Sequence, residues 1–267
     1  MINEEQQIRS WLASDSAASK RHLRLRKESS PPEQWRRLLI GIGQEAGPVT
    51  DTGWLVAGIL LLIVALVFHN LCQSNWGAFS FVTYAGAYAF FPVVLLNHRG
   101  DRRRVGTRAA ILLALEEDVR AAPLLANAWY PGPCYDAELR FKTEEALLYL
   151  LNAAPTEAVT FSTDLKPVAK MADRLWHAVP ARRDLPDDYA DLLLAVLRYL
   201  HRSDSATGRE TLDRFAESET TPDLGNRHAV RETARALRQS PPLSDHPFRS
   251  TRTREQRSVP QYLSQRP

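Results

Sequence analysis

The chain has 267 residues, a net charge of +3 and two cysteines. This length accommodates one large domain or two small ones, and two cysteines are too few for a disulfide framework. Residues 105–239 carry 17 basic and 21 acidic side chains, which gives that region a net charge of −4. Because nucleic-acid affinity depends on basic groups that displace counterions, this charge balance argues against nucleic acid as the main ligand of this region.

The amino-terminal segment, residues 1–31, is polar and basic, and residues 32–47 follow it with an amphipathic pattern. Apolar side chains recur there at helical spacing on one face: Trp35, Leu38, Leu39 and Ile42. Arg36 and Arg37 fall on the opposite face. Because this pattern is typical of a short helix that lies in a membrane interface, the sequence predicts such a helix at 32–47.

From Thr52 to Asn97 the chain contains no Asp, Glu, Lys or Arg. Two apolar runs within this stretch, 53–72 and 76–96, are each about as long as the roughly 20 residues that a helix needs to cross a bilayer. The sequence therefore predicts a transmembrane helical hairpin. A buried helical hairpin in a soluble protein is the alternative interpretation of two such runs.

The second apolar run contains small and hydroxyl-bearing side chains that are suited to close helix packing: Thr83, Ala85 and Ala89. Ala85 and Ala89 have the small-xxx-small spacing that lets two helices approach closely in lipid. This spacing predicts packing against the first run, and it also allows a homo-oligomer or hetero-oligomer to form through the same helices.

Lys and Arg flank both ends of the predicted hairpin and are missing from the turn between its runs. The side chains predicted to meet anionic lipid headgroups are Arg36, Arg37, Arg99, Arg102, Arg103 and Arg104. Because Lys and Arg accumulate on the cytoplasmic side of a membrane, the sequence predicts a multi-pass membrane protein with both termini in the cytoplasm. The Ala- and Arg-rich composition favours a bacterial inner membrane.

Residues 105–239 show helical periodicity throughout, with a break at 116–118. The predicted helix pairs are 105–117 with 118–130, 136–154 with 163–179, and 187–202 with 205–218, while 226–239 has no partner. Pairs that recur at intervals near 40 residues are typical of an α-solenoid. The side chains predicted to face inward are Leu147, Leu150, Leu151, Leu193, Val196 and Leu197.

The stretch VGTRAAILLALEEDVRAAPLLANAW, residues 105–129, resembles one HEAT-type repeat, and RHAVRETARALRQ, residues 227–239, resembles the first helix of another. The resemblance implies a curved scaffold that binds protein partners, and it transfers no catalytic motif. The predicted fold class is all-α: a transmembrane helical hairpin followed by a cytoplasmic α-solenoid-like domain at 105–239. A compact helical bundle is the alternative for that domain. Residues 240–267, rich in Pro, Ser and Arg, are predicted to form a disordered tail.

Motifs that would indicate chemistry are missing from the sequence. The histidines lack H-x-x-x-H spacing, no cysteine pair completes a zinc site, and neither a P-loop nor a G-x-S-x-G motif is present. We therefore predict no catalytic residue, no cofactor and no metal. Three aromatic side chains surround the PGPC sequence: Trp129, Tyr130 and Tyr135. They predict a partner-recognition loop, with an ordinary turn between repeats as the alternative.

The function predicted from these features is a membrane-anchored helical-repeat scaffold or adaptor. Such a chain would be a non-catalytic subunit of a membrane assembly, with the lipid bilayer and unidentified proteins as its partners. Two alternatives remain open. One is a membrane-tethered protein that binds nucleic acid through the basic segment 20–37, and the other is an enzyme without a recognisable motif.

Overall fold

The computed structural model describes residues 4–47, 100–131, 136–153, 164–218 and 225–240. All regular secondary structure within these ranges is α-helical. In chain order the helices are α1 (Glu4–Ala13), α2 (Ala17–Ser29), α3 (Pro32–Gly43), α4 (100–115), α5 (Ala121–Ala128), α6 (Ala137–Ala153), α7 (Lys166–Trp176), α8 (Asp187–Arg202), α9 (Ala206–Glu217) and α10 (Gly225–Gln239).

Local sequence signals account for several of the helix ends. The hydroxyl oxygens of Ser16 and Ser205 accept hydrogen bonds from the first turns of α2 and α9, which satisfies amide groups that have no partner inside the helix. Pro32 occupies the first position of α3, where its missing N–H costs nothing. At the predicted break after α4, Glu117 takes a left-handed conformation with a φ angle of 57°, which ends the helix.

The carboxyl-terminal helices pack in two layers. In one layer α6, α8 and α10 lie side by side, and in the other α5, α7 and α9 lie side by side. Chain neighbours also pack across the layers: α5 on α6, α7 on α8, α8 on α9, and α9 on α10. The second layer continues towards the amino terminus because α3 packs against α5.

The core between the layers is built mainly from aliphatic side chains. The six side chains predicted to face inward on α6 and α8 are all buried, which confirms that prediction: Leu147, Leu150, Leu151, Leu193, Val196 and Leu197. Complete burial of one such side chain contributes roughly 1.5–3 kcal/mol. These side chains are therefore a major source of stability for the layered region.

The amino-terminal helices belong to the same core. Their buried apolar side chains are Ile8, Leu12, Trp35, Leu39 and Ile42. The indole N–H of Trp35 donates to Glu116 at the end of α4 over 3.0 Å. The apolar face on which an interfacial helix at 32–47 was predicted is therefore packed against protein.

Arginine side chains connect successive helices by donating to carbonyl groups at helix ends. Arg174 of α7 donates to the carbonyl oxygens of Ala126 and Trp129 at the end of α5, each over 2.7 Å. Arg235 of α10 donates to the carbonyl oxygen of Ala216 in α9 over 3.0 Å. Because the last four carbonyl groups of a helix have no partner inside it, these arginines satisfy groups that the short helices leave open.

The same kind of contact recurs elsewhere in the fold. Arg108 of α4 donates to the Leu12 carbonyl oxygen at the end of α1 over 2.7 Å. Arg202 of α8 donates to the Leu151 carbonyl oxygen near the end of α6. Contacts of this kind therefore occur both among the amino-terminal helices and within the layered region.

Arg227 makes the most buried of these contacts, at the start of α10. Its guanidinium group donates to the Arg183 carbonyl oxygen over 2.8 Å and lies 4.7 Å from the centre of the Trp176 ring. Burial lowers the pKa of Arg227, and attraction to Asp184 opposes that shift. The Asp184 carboxylate also accepts from the Arg227 backbone N–H over 3.0 Å. The loop between α7 and α8 thereby holds the first turn of α10.

Within the described residues, no helix has both the length and the apolar composition needed to cross a membrane. On this finding the predicted fold class, a transmembrane hairpin with a cytoplasmic α-solenoid-like domain, is corrected to all-α. The predicted multi-pass location in a bacterial inner membrane is not retained. The physical reason is length and composition: α6 has 17 residues and includes charged side chains, whereas a span needs about 20 mostly apolar residues. The two predicted spans, 53–72 and 76–96, lie outside the described residues.

The backbone after α3 approaches α4 closely at Gly106. A Cβ atom at Gly106 would lie 2.5 Å from the Ala46 nitrogen and 2.7 Å from the Glu45 carbonyl carbon. At Gly47 a Cβ atom would lie 3.4 Å from the Arg103 side chain. The residues after α3 therefore lie beside the first two turns of α4.

This close approach predicts opposite effects for two Gly→Ala substitutions. Ala is favoured over Gly in a helix by about 1 kcal/mol, so Gly41→Ala should raise the free energy of unfolding, because no described atom beyond its own helix lies within 4 Å of the new Cβ. Gly106→Ala should lower it, because its Cβ overlaps the backbone at Ala46. Chemical denaturation of the full chain measures both changes. A Gly106→Ala chain as stable as the Gly41→Ala chain would contradict the close approach.

Candidate protein-binding surface

The start of α6 is held by Asp136. One carboxylate oxygen of Asp136 accepts from the Leu139 backbone N–H over 2.9 Å, and the other accepts two hydrogen bonds from Arg104, over 3.0 and 2.7 Å. Burial favours a higher pKa for Asp136, but the hydrogen bonds from Leu139 and Arg104 outweigh it and lower the pKa. The ionised carboxylate therefore caps α6 and joins it to α4 at neutral pH.

One side of α6 is joined to α5 and α8 through a polar network. The indole N–H of Trp129 donates to Glu144 over 2.9 Å, and Arg140 donates to the same carboxylate oxygen over 3.1 Å. Arg140 also donates to the Tyr189 hydroxyl oxygen over 2.6 Å. The Tyr189 and Trp129 rings meet edge to face, with their centres 5.8 Å apart.

The opposite side of α6 contacts the turn after α4. The Tyr149 hydroxyl group donates to the Glu117 carboxylate over 2.7 Å. This hydrogen bond raises the pKa of Tyr149, because it favours the protonated hydroxyl group beside a carboxylate. With its inner face in the core and both flanks bonded to neighbours, α6 has one face left towards solvent.

That remaining face is the outer stripe of α6, which we define as Phe141, Glu145, Leu148 and Asn152. These residues follow helical spacing along the side opposite the buried Leu147 and Leu150. Phe141 is 58% exposed, and Leu148 is partly buried. The outer stripe therefore presents two apolar side chains with a carboxylate between them.

The Glu145 carboxylate is partly buried within the outer stripe. Its Oε2 atom is buried and has no hydrogen-bond partner among the described residues. Burial raises the pKa of Glu145, and the positive charge of Lys142 offsets part of that rise. Because burial disfavours an ionised group that lacks a donor, the ionised Glu145 destabilises the fold at neutral pH.

Exposed apolar side chains are few in the part of the chain that the structure describes. The large ones are Leu25, Tyr130 and Phe141. The outer side of the other layer is charged, with Arg214 of α9 paired to Asp173 of α7 over 3.1 Å. Phe141 is the most exposed of the three apolar side chains. The outer stripe of α6 around it is more apolar than this charged surface.

A shallow cleft lies between α9 and α10 and is lined by Ala216, Glu217, Arg235, Arg238 and Gln239. Its two arginines already have carboxylate partners. Arg235 pairs with Glu232 over 2.9 Å, and Arg238 pairs with Asp213 over 2.9 Å. The cleft is therefore a weaker candidate for ligand binding than the outer stripe of α6.

The predicted recognition loop is only partly described. Trp129 is 1% exposed, and its indole N–H and carbonyl oxygen are both hydrogen-bonded within the fold. Tyr130 is 36% exposed, and Tyr135 lies outside the described residues. Of the two described aromatic side chains, Tyr130 is therefore the one that is accessible to a partner.

The arginines predicted to meet lipid headgroups are found in several different environments. Arg104 binds Asp136 at the start of α6, and Arg36 pairs with Glu33 over 3.3 Å and with Glu116 over 3.6 Å. The exposed members of the set are Arg37, Arg102 and Arg103. The predicted residues that lie outside the described ranges are Arg99, Thr83, Ala85 and Ala89.

Phe141 and Glu145 were missed by the sequence analysis, although a signal for them is present. In the sequence of α6, the residues that repeat at core positions are Leu139, Thr143, Ala146, Leu147 and Leu150. Phe141 falls outside that repeat, on the opposite side of the helix. A large apolar residue on the polar face of an amphipathic helix was the available indication of a binding surface.

Within the described ranges, no three His, Cys, Asp or Glu side chains lie close enough together to hold a metal ion. Comparison of the chain with protein-family models, with curated proteins and with solved structures finds no match. The outer stripe of α6 is therefore the strongest candidate for a functional surface among the described residues.

The different burial of Trp129 and Tyr130 predicts different effects of their removal. Trp129→Ala should lower the free energy of unfolding by about 3–5 kcal/mol, because it opens a cavity and leaves Glu144 without its indole donor. Tyr130→Ala should change it by less than about 0.5 kcal/mol, as for most surface positions. Thermal melting of both variants checks this, and equal losses would contradict the burial of Trp129.

The raised pKa of Glu145 predicts a pH-dependent effect of Glu145→Gln. Because the folded pKa is higher than the unfolded pKa, the ionised carboxylate opposes folding above the folded pKa, so the Gln variant should be the more stable one near neutral pH. The difference should shrink as the pH falls through the folded pKa towards about 4, where the native carboxyl is protonated.

Denaturant unfolding at several pH values measures this difference. Glu138→Gln is the matched control, since Glu138 lies on the same helix with its side chain 77% exposed and makes only a surface ion pair with Lys142. The control should change stability by less than about 0.5 kcal/mol. A Glu145→Gln chain that is less stable than the native chain at neutral pH would show that Glu145 has a stabilising partner.

Proposed function

We propose that this chain is a helical scaffold that binds a protein partner through the outer stripe of α6. The observation that carries the proposal is Phe141, which is 58% exposed on a helix whose other faces contact the core, α4, α5 and α8. An aromatic side chain buries roughly 150–250 Å² in a contact. An exposed aromatic side chain on a rigidly held helix is therefore expected to mark a surface that a second protein covers.

The order of helix packing supports a scaffold. Successive helices alternate between two layers, and within each layer neighbouring helices lie side by side. Each layer therefore has an extended outer surface. Helical-repeat proteins use such surfaces to bind partners. The HEAT-type resemblance at 105–129 and 227–239 fits this arrangement and remains a proposal.

The nucleic-acid alternative receives less support from the basic segment 20–37. Several of its cations have carboxylate partners: Arg24 with Glu28, Arg26 with Glu4, Lys27 with Glu116, and Arg36 with Glu33. Paired cations release fewer counterions on contact with phosphate. A catalytic role has no support from a cluster of side chains among the described residues.

The test compares two exposed apolar side chains in the full chain. Phe141→Ala should reduce the amount of co-purifying partner from source cells at least about tenfold, since a central aromatic contact contributes about 1.4 kcal/mol or more to binding. Leu25→Ala is the matched control, because Leu25 is 52% exposed on α2, and it should retain the partner. Thermal melting should show that neither variant is unfolded.

Three results would contradict the proposal. The first is equal partner recovery with the native chain and the Phe141→Ala chain. The second is loss of the partner that always accompanies unfolding. The third is light scattering that shows the native chain to be self-associated through Phe141, which would identify a second copy as the occupant of the outer stripe.

A further inference from the structure

We propose that α2 carries a second docking surface, which binds an acidic, amphipathic segment of another protein. We define the α2 patch as Lys20, Arg21, Arg24 and Leu25. Helical spacing makes these four residues neighbours on the solvent side of α2, and all four side chains are exposed. The inference goes beyond the proposed function, because the α2 patch lies on a different helix from the outer stripe and binds a ligand of defined charge.

The fold leaves the α2 patch with a surplus of positive charge. All six carboxylates of residues 4–47 already have cationic partners in the structure: Glu4, Glu5, Asp15, Glu28, Glu33 and Glu45. Lys20 and Arg21, by contrast, form no ion pair with a described carboxylate. Their charges are therefore available to a carboxylate from another molecule.

The ion pair between Arg24 and Glu28 does not cancel this surplus. Its atoms lie 3.0 Å apart, and the two side chains are 64% and 58% exposed. Because such exposed pairs gain little from each other in water, Arg24 can exchange Glu28 for a carboxylate of a partner at small cost. The three cations of the α2 patch and Glu28 together carry a net charge of +2. This charge favours an acidic occupant over a basic or neutral one.

Leu25 supplies the apolar part of the contact. Its side chain is 52% exposed. One turn earlier on α2, His22 stacks on the ring of Trp11 from α1, with the ring centres 5.3 Å apart and the ring planes 16° apart. This stack joins α2 to α1 and borders Leu25 with aromatic surface. Aromatic side chains and arginine are enriched at protein interfaces, so the α2 patch has the composition of such a surface.

The same composition favours a protein segment over a bilayer or a nucleic acid. Bilayer binding scales with the apolar area that enters the lipid, and Leu25 is the large apolar side chain that α2 exposes. Nucleic-acid binding scales with the number of phosphates that are neutralised, and Leu25 adds nothing to it. A protein segment with an apolar side chain beside carboxylates matches both parts of the α2 patch.

The experiment uses two labelled peptides of about four helical turns. One is an amphipathic helix of Leu and Glu, and the other has Lys in place of each Glu. Fluorescence anisotropy with the full chain should show at least about tenfold tighter binding of the Leu/Glu peptide. Added salt should weaken that binding, because salt screens contacts between exposed charges. Equal binding of the two peptides would overturn the inference.

Two double charge reversals locate the contact. The Lys20→Glu/Arg21→Glu chain should bind the Leu/Glu peptide about tenfold or more weakly, because attraction becomes repulsion at two positions. The Lys166→Glu/Lys170→Glu chain is the matched control, since both lysines are exposed on α7 and the net charge changes equally. It should bind no more than about threefold more weakly. Equal losses would show that net charge, and not the α2 patch, attracts the peptide.

Thermal melting separates loss of binding from loss of the fold. Carboxylates near the start of a helix interact favourably with its dipole, so the Lys20→Glu/Arg21→Glu chain should melt at the same temperature as the native chain or higher. Leu25→Ala should also melt like the native chain and should weaken peptide binding at least about threefold, because apolar area is lost from the contact. Binding that is lost only in variants that unfold would overturn the inference.

Further outcomes separate the α2 patch from the outer stripe and from other anionic ligands. Phe141→Ala should leave binding of the Leu/Glu peptide unchanged, and a loss would place the peptide on α6 and overturn the inference. Vesicles of phosphatidylcholine with phosphatidylglycerol and a duplex DNA oligonucleotide are the other probes. If either binds the native chain more tightly than the peptide does, and loses binding in the Lys20→Glu/Arg21→Glu chain, the α2 patch serves that ligand and the protein segment is wrong.

Discussion

Short helices in contact with one another leave carbonyl groups at their ends that need hydrogen-bond donors, and the arrangement of this chain depends on how that need is met. A carbonyl group buried without a donor costs about 1–3 kcal/mol. Here guanidinium groups from later helices supply the donors, as Arg174 does for α5 and Arg108 does for α1. Each of these contacts joins two helices that are far apart in the sequence, so hydrogen bonding and packing define the same neighbours.

This constraint also decides which surfaces are available for binding. A helix with bonded ends and bonded flanks has a fixed orientation, and the face that remains is held rigidly towards solvent. α6 is such a helix, because Asp136 caps it, Arg140 joins it to α8 and Tyr149 joins it to the turn after α4. Phe141 is exposed as a consequence of this fixed orientation. Rigid presentation reduces the entropy that a partner contact must overcome.

Helical periodicity in the sequence predicted the helices of 105–239 and their inward residues, including Leu150 and Leu197, because apolar spacing is a local property. The interpretation of 32–47 as an interfacial helix shows the limit of such patterns. An apolar face predicts burial, and a membrane interface and a protein core both provide it. Trp35 lies in the protein core, where Glu116, 81 positions later in the chain, accepts its indole N–H, and no local pattern indicates that contact.

The sequence by itself determined that the described residues of 32–47 and 105–239 are mainly helical, roughly where the helices of 105–239 begin and end, and which face of these helices is apolar. It did so because capping, propensity and periodicity act over a few residues. The tertiary structure decided which helices are neighbours, which arginines serve as caps, and which side chains remain exposed. Trp129 and Phe141 illustrate the difference, since the first is buried by α6 and α7 and the second is left outside the core. Both outcomes depend on contacts between distant segments, which the order of residues along the chain does not specify locally.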